Sequence, residues 1–166
     1  MSDAPITHEA FTRAFRDALG MFATGITVVA TRAANGEPIG LTVNSFNSVS
    51  LDPPLIVWSL ANTLPCREVF EACEYYSVNV LAADQMHLSQ TFASRSDHKF
   101  AGLEIDEGLY GVPLLRNCCA RFECRNIARH PGGDHVLFIS EVVRFDREDR
   151  EPLIYFSGAY RNLTPR

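Results

Sequence analysis

The stretch GLTVNSFNSVSLDPPLIVWSL (40–60) decides how the rest of the chain is interpreted. It predicts one strand over about 44–50 and a second over 54–60, with a turn at Asp52-Pro53-Pro54. The first run mixes small polar residues with apolar ones and carries no charge before Asp52. A surface strand normally carries Lys or Glu on its solvent side, and a buried strand is richer in Val, Ile and Leu. A run of small hydrogen-bonding side chains therefore favours the wall of a pocket for a flat polar ligand.

Length and composition predict one globular domain, 1–166. The chain has 166 residues, of which 46% are hydrophobic and 21% charged. The net charge of -5 disfavours nucleic acid and anionic membranes as partners. The start MSDAPIT (1–7) lacks the basic and apolar segments of a signal peptide, and no apolar run approaches the length of a membrane span. We therefore expect a cytoplasmic location.

The cysteine and histidine spacings predict neither disulfides nor a metal site. An odd number of cysteines without a CxxC pair argues against a disulfide framework and a zinc ribbon. The five thiols are expected to be small buried or half-buried groups: Cys66, Cys73, Cys118, Cys119 and Cys124. Four histidines show no spacing typical of ligands: His8, His87, His98 and His130.

A first helix is predicted from a cap at Thr7 to about Phe22. Its apolar residues fall on one helical face: Phe11, Phe15, Leu19 and Phe22. Such a face is expected to pack against the core of the domain.

The remaining pattern predicts many short strands separated by turns. Strands are expected near 25–31, 38–43, 75–81, 118–128, 135–145 and 152–156, with short helices over 64–73 and after a cap at Asp84. In 118–128, Arg121, Glu123 and Arg125 are expected on the solvent face. Since strands and helices do not alternate regularly, the pattern favours a mainly β fold with peripheral helices, closed as an antiparallel barrel.

One loop has the composition of a phosphate site. Ser94-Arg95-Ser96 with Lys99 supplies hydroxyls and cations in a short segment. A solvated charged loop is the alternative interpretation. Neither GxGxxG nor GxxxxGK[ST] occurs, so the usual glycine loops for nucleotides are absent.

The sequence contains little catalytic machinery of its own. His135 follows Gly133-Asp134 at a predicted strand start, where it either meets a ligand or has a structural role. No GxSxG elbow supports a serine hydrolase. An uncharged wall, a candidate phosphate loop and scattered aromatics are typical of a protein whose bound cofactor carries the chemistry.

Several segments, in this order and spacing, resemble the flavin reductase family with the split-barrel FMN-binding fold. They run along almost the whole chain: MFATGITVV (21–29), GLTVNSF (40–46), SVSLDPPL (48–55), SVNVL (77–81), FA (92–93), KF (99–100), GDH (133–135), PLIY (152–155) and GAY (158–160). Members of this family are the reductase components of two-component flavin monooxygenases.

The resemblance implies a six- or seven-stranded antiparallel split barrel and a homodimer with a flavin site near the subunit interface. NADH or NADPH would reduce FMN or FAD by hydride transfer. The reduced flavin would then pass to a partner oxygenase.

The resemblance also implies which residues bind the flavin. The isoalloxazine and ribityl chain would be contacted by Thr42, Asn44, Ser45 and Phe46, with backbone contacts from Ser48 and Val49. The ribityl chain and phosphate would be bordered by 59–63, including Ser59, Asn62 and Thr63, and the phosphate would be bound by Ser94, Arg95 and Lys99.

The nicotinamide would be faced by His135 and by the segment Tyr155, Phe156, Ser157 and Gly158, with Tyr160 and Arg161 nearby. These residues are a positioning set rather than acids or bases, because hydride transfer needs the two rings held close together.

Two other functions stay open from the residues. One is a non-enzymatic flavin carrier or redox sensor on the same barrel. The other is a flavin oxidase of a small amine or pyridoxine-type substrate, which would need a basic cluster such as Arg121, Arg125 and Arg129.

Overall fold

The computed structural model describes residues 7–163. The first six residues, which hold most of the segment used to argue against a signal peptide, lie outside the described residues. The described residues contain three α-helices: α1 (His8–Leu19), α2 (Arg67–Ala72) and α3 (Met86–Ala93). The strands are β1 (Thr24–Gly25), β2 (Thr27–Arg32), β3 (Pro38–Val43), β4 (Asn47–Leu51), β5 (Pro54–Ala61), β6 (Tyr75–Val80), β7 (Ile105–Glu107), β8 (Pro113–Leu115), β9 (Ala120–Gly132), β10 (His135–Arg147), β11 (Ile154–Phe156) and β12 (Ala159–Arg161).

Mainly β structure in antiparallel sheets, with a few helices, confirms the predicted class. Seven strands form one sheet in the order β3-β2-β6-β9-β10-β5-β4. Its two edge strands, β3 and β4, are consecutive in the chain and joined by residues 44–46 alone. Seven flat strands would place the edges roughly 29 Å apart, whereas this link spans at most about 14 Å. The sheet must therefore curl until its edges approach each other at this end.

The inside of the curled sheet holds an aromatic core centred on Trp58. Residues of β5 alternate between buried and half-buried, and Trp58 is fully buried. Its ring stacks on Phe138 at a centroid distance of 4.6 Å. Its indole N–H donates to the hydroxyl of Tyr76 at 2.9 Å, and that hydroxyl donates to Ser140 at 2.5 Å. This chain satisfies the polar atoms that these large side chains bring into the core.

Strand positions were predicted better than strand ends. Pro38–Val43 is confirmed at both ends, and Thr7 caps α1 by accepting from the backbone N–H of Ala10 at 3.3 Å. The strand expected from Asn44 begins only at Asn47, and 44–46 form a bend instead. Asp84 does not cap the following helix, because it lies inside a 3₁₀ turn and pairs with Arg150.

The last predicted strand is shorter than expected and belongs to a separate sheet. It covers Ile154–Phe156, and a hairpin that the sequence did not predict returns as β12. With β1 these strands form a three-stranded sheet in the order β1-β11-β12. Residues 102–113 contain the short strand β7, which pairs with β8 and was not among the predicted strands.

The expected burial of the α1 face is wrong for the isolated chain. Helix α1 ends at Leu19 rather than Phe22. The four apolar side chains of the predicted face are each more than half exposed: Phe11 59%, Phe15 55%, Leu19 59% and Phe22 71%. The helical spacing correctly predicts an apolar stripe but does not specify what covers it.

Glu123 is a second correction. It was expected on the solvent face of β9, yet it is only 4% exposed. Its carboxylate accepts from the backbone N–H of Leu109 and from the guanidinium of Arg144. The loop before β8 folds over this position, so simple alternation along β9 does not report exposure here.

The five cysteines are free thiols, as expected. Cys118 and Cys124 are buried, and burial raises the pKa of each thiol to about 12. These groups behave as small apolar residues rather than nucleophiles. Among residues 7–163, the helices are too short or too polar to cross a membrane.

Candidate cofactor site

The bend 44–46 is anchored to β5 by one side chain. The hydroxyl of Ser45 donates to the carbonyl oxygen of Ser59 at 3.2 Å and accepts from its N–H at 3.0 Å. Asn44 and Ser45 are exposed, whereas Phe46 is half-buried and its ring packs on Phe122 at 5.6 Å. Asn44 and Ser45, both predicted to touch flavin, are thus accessible, whereas the ring of Phe46 is packed against the sheet.

The two strands that flank this bend are edges of the large sheet. Within residues 7–163, β3 pairs only with β2, and β4 pairs only with β5. Edge strands leave backbone N–H and C=O groups unpaired on their outer side. Ser48 and Val49 lie on β4 and are exposed. Such a row of donors and acceptors suits the polar edge of a planar heterocycle.

Thr42 is connected to the C-terminal hairpin through α3. Its hydroxyl donates to the carbonyl oxygen of Ser89 at 2.6 Å. The hydroxyl of Ser89 lies 2.9 Å from that of Tyr160 on β12. Ser89 is fully buried and was not predicted as a site residue, because nothing in the sequence distinguishes it from other helical serines.

The candidate phosphate loop begins where α3 ends. The hydroxyl of Ser94 donates to the carbonyl oxygen of Thr91 at 2.7 Å and accepts from the N–H of Ser96 at 3.3 Å. Arg95 is exposed. The side chain of Lys99 folds back and donates to the carbonyl oxygens of Gly40 at 3.3 Å and Phe92 at 2.9 Å.

Two of the three N–H groups of Lys99 are therefore engaged by backbone, which leaves one for a ligand. Desolvation by burial lowers the pKa of its ammonium. The absence of a side chain at Gly40 lets the rings of Phe92 and Phe100 pack against β3. A Cβ at this position would lie 2.8 Å from the Phe92 ring and 3.2 Å from Phe100.

The end of the β5–β10 ladder brings three more predicted residues together. His135 pairs with Ala61, two residues beyond Ser59. Asn62 donates its backbone N–H to the carbonyl oxygen of Asp134 at 2.9 Å and its amide to that of Gly133 at 3.2 Å. The amide oxygen of Asn62 is buried without a hydrogen-bond partner among the described residues. It is an acceptor positioned for a ligand hydroxyl or amide.

The imidazole of His135 is oriented by its neighbour. Its Nδ1 lies 2.7 Å from a carboxylate oxygen of Asp134. This contact lowers the pKa of the Asp134 carboxyl. A carboxylate on Nδ1 favours the tautomer with hydrogen at that nitrogen and leaves Nε2 as an acceptor.

The predicted nicotinamide segment forms a tight hairpin. Ser157 and Gly158 both have positive φ, 50° and 75°, which is the geometry of a two-residue type I′ turn. The N–H of Ser157 donates to the carbonyl oxygen of Gly20 at 2.8 Å, so the turn lies against the end of α1. Tyr155 packs edge-to-face on Tyr160 at 5.5 Å.

Two members of the basic cluster required for an oxidase are already neutralised. Arg121 contacts Asp146 at 2.6 Å and Asp106 at 2.8 Å, and Arg125 contacts Glu141 at 2.5 Å. These arginines belong to ion pairs on the sheet surface, so the structure does not favour that alternative.

The combined arrangement is that of a cofactor-binding protein: an uncharged wall with edge backbone, a loop of hydroxyls and cations, and an oriented histidine. The chain belongs to the family of flavin reductase like domains, whose model matches residues 19–164. That match covers every residue predicted above to contact flavin or nicotinamide.

Comparisons with individual proteins agree. The chain is 44% identical over 149 residues to the FMN reductase (NADH) SmoA of Agrobacterium fabrum, covering 90% of this chain and 84% of SmoA. It is 40% identical over 148 residues to the reductase component of the flavin-dependent trigonelline monooxygenase of Acinetobacter baylyi. That match covers 89% of this chain but only 48% of the relative, so the chain spans about half of that protein's length.

A solved structure gives the same picture. The NADH:FAD oxidoreductase SgcE6 of Streptomyces globisporus, in complex with NAD and FAD fragments, superposes with a TM-score of 0.89 at 32% identity. The alignment covers 98% of each chain.

Proposed function

We propose that this protein oxidises NADH or NADPH, reduces FMN or FAD, and supplies the reduced flavin to a partner monooxygenase. The supporting observation is the accessible, uncharged bend between two sheet edges, pinned by Ser45 to Ser59, in a chain of the flavin reductase family. When bound, the two nucleotides carry the redox chemistry, a hydride passing from nicotinamide C4 to flavin N5. The protein's task is to hold the two rings in contact.

The proposal gives each of the expected site residues a role. Thr42, Asn44 and Ser45 border the ring and ribityl chain, while Phe46, Ser48 and Val49 offer backbone groups. Ser59, Asn62 and Thr63 lie along the next strand end, and Ser94, Arg95 and Lys99 hold the phosphate. Backbone N–H groups at the edges would stabilise negative charge that develops on the reduced ring.

The nicotinamide would lie between His135 and the hairpin of Tyr155, Phe156, Ser157 and Gly158. The Nε2 of His135 is available as an acceptor, because Asp134 occupies Nδ1. An acceptor at this place suits the carboxamide of nicotinamide.

We further propose that the curled sheet is a split barrel of the FMN-binding type, open between β3 and β4. The short link between these edges supports it. We also propose that 1–166 form a single domain and act in the cytoplasm.

A homodimer is part of the proposal. The apolar stripe of α1 is exposed in the isolated chain, and a contiguous exposed apolar stripe on a helix favours an interface. The end of α1 contacts the nicotinamide hairpin through Gly20, so a subunit interface along α1 would lie next to the site.

A flavin carrier or redox sensor is the alternative. The site offers neutral hydrogen bonds and few charges, which favours moderate affinity and release of reduced flavin over permanent binding. A carrier would instead purify with tightly bound flavin.

The direct test is aerobic oxidation of NADH and of NADPH with FMN, FAD and riboflavin in turn. We expect turnover that depends on added flavin. No nicotinamide oxidation at saturating flavin with either donor would overturn the reductase proposal, and tight flavin binding without turnover would select the carrier.

A further inference from the structure

A cleft of about 280 Å³ lies beside the candidate nicotinamide site, and its lining joins Asn62 and His135 to residues with no role in the proposed flavin or nicotinamide contacts. It lies at the end of the β9–β10 hairpin, against α2. Its polar lining comes from Asn62, Arg67, Glu71, Arg129, His130 and His135. We call it the Arg129 cleft.

The charge of the Arg129 cleft opposes that of the whole chain. Two arginines of the lining face a single lining carboxylate, Glu71, although the net charge of the protein is -5. Arg67 donates to Glu71 from Nε at 2.9 Å, so its terminal nitrogens are not used by that ion pair. The cleft thus has more cation than its own carboxylate neutralises, which favours an anionic ligand.

Arg129 has no carboxylate partner within residues 7–163. One terminal nitrogen donates to the carbonyl oxygen of Cys73 at 3.3 Å, and the same nitrogen and Nε donate to the side-chain oxygen of Asn126 at 2.9 Å and 3.3 Å. These contacts fix the side chain against the loop before β6. A guanidinium has five N–H donors in a rigid fork, so the donors of the other terminal nitrogen remain for a ligand. Phosphate oxygens match this fork in two-point contacts.

The location also identifies what the anion is attached to. His135 lines both this cleft and the candidate nicotinamide site, and Asn62, whose amide oxygen has no hydrogen-bond partner among the described residues, also lines the cleft. A volume of about 280 Å³ is at the lower limit for small-molecule sites, so it holds part of a dinucleotide rather than all of it.

We propose that the Arg129 cleft binds the ADP portion of a dinucleotide substrate, with Arg129 and Arg67 on phosphate oxygens and the Asn62 amide oxygen accepting from a ribose hydroxyl. This inference rests on the proposed reductase function. The nicotinamide dinucleotide is the favoured source of the ADP group because His135 is shared, and FAD carries the same chemistry.

The test compares donors with and without that group. Arg129→Gln and Arg67→Gln are assayed with NADH against reduced nicotinamide mononucleotide, and with FAD against FMN. We expect the KM for NADH to rise about tenfold, as for the loss of one charge-assisted hydrogen bond, while the KM for the mononucleotide changes much less. Arg129→Lys should fall between, since it keeps the charge and loses the fork.

A second readout is independent of turnover. Calorimetric titration of flavin-free protein with ADP-ribose should give binding that each variant weakens by a similar factor. Arg125→Gln is the matched control, because Arg125 lies on the same strand and pairs with Glu141 outside the cleft. Circular dichroism checks that each variant folds. If loss of the Arg129–Cys73 contact prevents folding, Arg67→Gln alone still tests the cleft.

The outcomes separate cleanly. If the variants lose the preference for NADH over its mononucleotide, the cleft binds the ADP group of the nicotinamide dinucleotide. If they instead lose the preference for FAD over FMN, the cleft binds the ADP group of FAD. Unchanged ADP-ribose binding and unchanged preferences in both variants would overturn it. If neither NADH nor NADPH reduces flavin in the wild type while ADP-ribose binds, the reductase function fails and the cleft stands.

Discussion

The hydroxyl of Ser45 engages both backbone groups of Ser59, accepting from the N–H at 3.0 Å and donating to the carbonyl oxygen at 3.2 Å. Strand β4 ends its pairing with β5 at Asn47 opposite Val57, so β5 has no neighbour on this side at Ser59. The Ser45 side chain takes the place of the missing strand. It thereby fixes the bend that lies between the two sheet edges.

Ser45→Ala is expected to raise the KM for FMN several-fold and to lower the free energy of unfolding by about 1 kcal/mol, because the bend loses its anchor. Steady-state kinetics with varied FMN and thermal unfolding measure the two effects. Ser48→Ala is the control, since Ser48 is assigned only backbone contacts. Equal KM values for wild type and Ser45→Ala would remove Ser45 from the flavin site.

Lys99 is expected to distinguish phosphorylated from unphosphorylated flavin. Lys99→Gln should raise the KM for FMN about tenfold and that for riboflavin much less, because only FMN presents a phosphate. The variant should also be less stable by about 1–2 kcal/mol, since the carbonyl groups of Gly40 and Phe92 lose a charged donor. Equal effects on both flavins would assign Lys99 a purely structural role.

His135→Ala is expected to raise the KM for the nicotinamide nucleotide more than that for flavin. Asp134→Asn should produce a smaller change in the same direction, because it weakens the contact that orients the imidazole at 2.7 Å. Both are measured by varying NADH at saturating flavin. An unchanged KM for NADH in His135→Ala would place the histidine outside the nicotinamide site.

Acid should weaken the fold partly through Asp106. Hydrogen bonds from Arg121, which has the larger effect, and from Arg116 hold the pKa of the Asp106 carboxyl below its usual value of 3.8. A carboxyl whose pKa is lower in the folded state stabilises the fold above about pH 4, and this contribution is lost as the pH falls through the folded value.

Asp106→Asn should therefore lower the unfolding temperature at pH 7 and make its decline below pH 4 less steep. Thermal unfolding between pH 7 and pH 3 tests both, with the exposed Asp149→Asn as control. Parallel curves for wild type and Asp106→Asn across that range would contradict the assignment.

The sequence predicted the large sheet well where local patterning and burial agree. The strands expected near 25–31 and 38–43 correspond to β2 and β3, and 54–60 lies within β5. The uncharged stretch also contains the link between the edge strands β3 and β4, although the sequence did not predict that these edges approach each other. Ser45 and Ser59 were both named from the resemblance to flavin reductases, and their mutual hydrogen bonds depend on the curl of the sheet.

Features set by distant contacts were not predictable. Glu123 is buried by the loop before β8, which lies elsewhere in the sequence, so its alternation along β9 was misleading. Ser89 becomes part of the site only because β12 approaches α3. The Arg129 cleft likewise forms between α2 and the β9–β10 hairpin, and no local sequence motif predicts that these two elements lie side by side.

For α1, the sequence predicted the apolar stripe correctly but predicted the wrong surface for it to pack against. Helical spacing of Phe11 and Phe15 is the same whether the stripe covers its own sheet or a second copy of the chain. Each ring is more than half exposed in the isolated chain, and the two stack on each other at 6.1 Å. An exposed stripe of this kind is what a homodimer would bury.

Phe11→Ser combined with Phe15→Ser is therefore expected to convert a dimer to a monomer with little change in the stability of the individual fold. Sedimentation velocity gives the mass of wild type and variant, and circular dichroism checks the fold. Asp17→Ala is the matched control, since Asp17 lies on the opposite side of the same helix and should leave the dimer intact. Because α1 adjoins the nicotinamide hairpin through Gly20 and Ser157, the monomer should also show a higher KM for NADH. A wild-type protein that is already monomeric, or a variant that stays dimeric, would exclude α1 as the subunit interface.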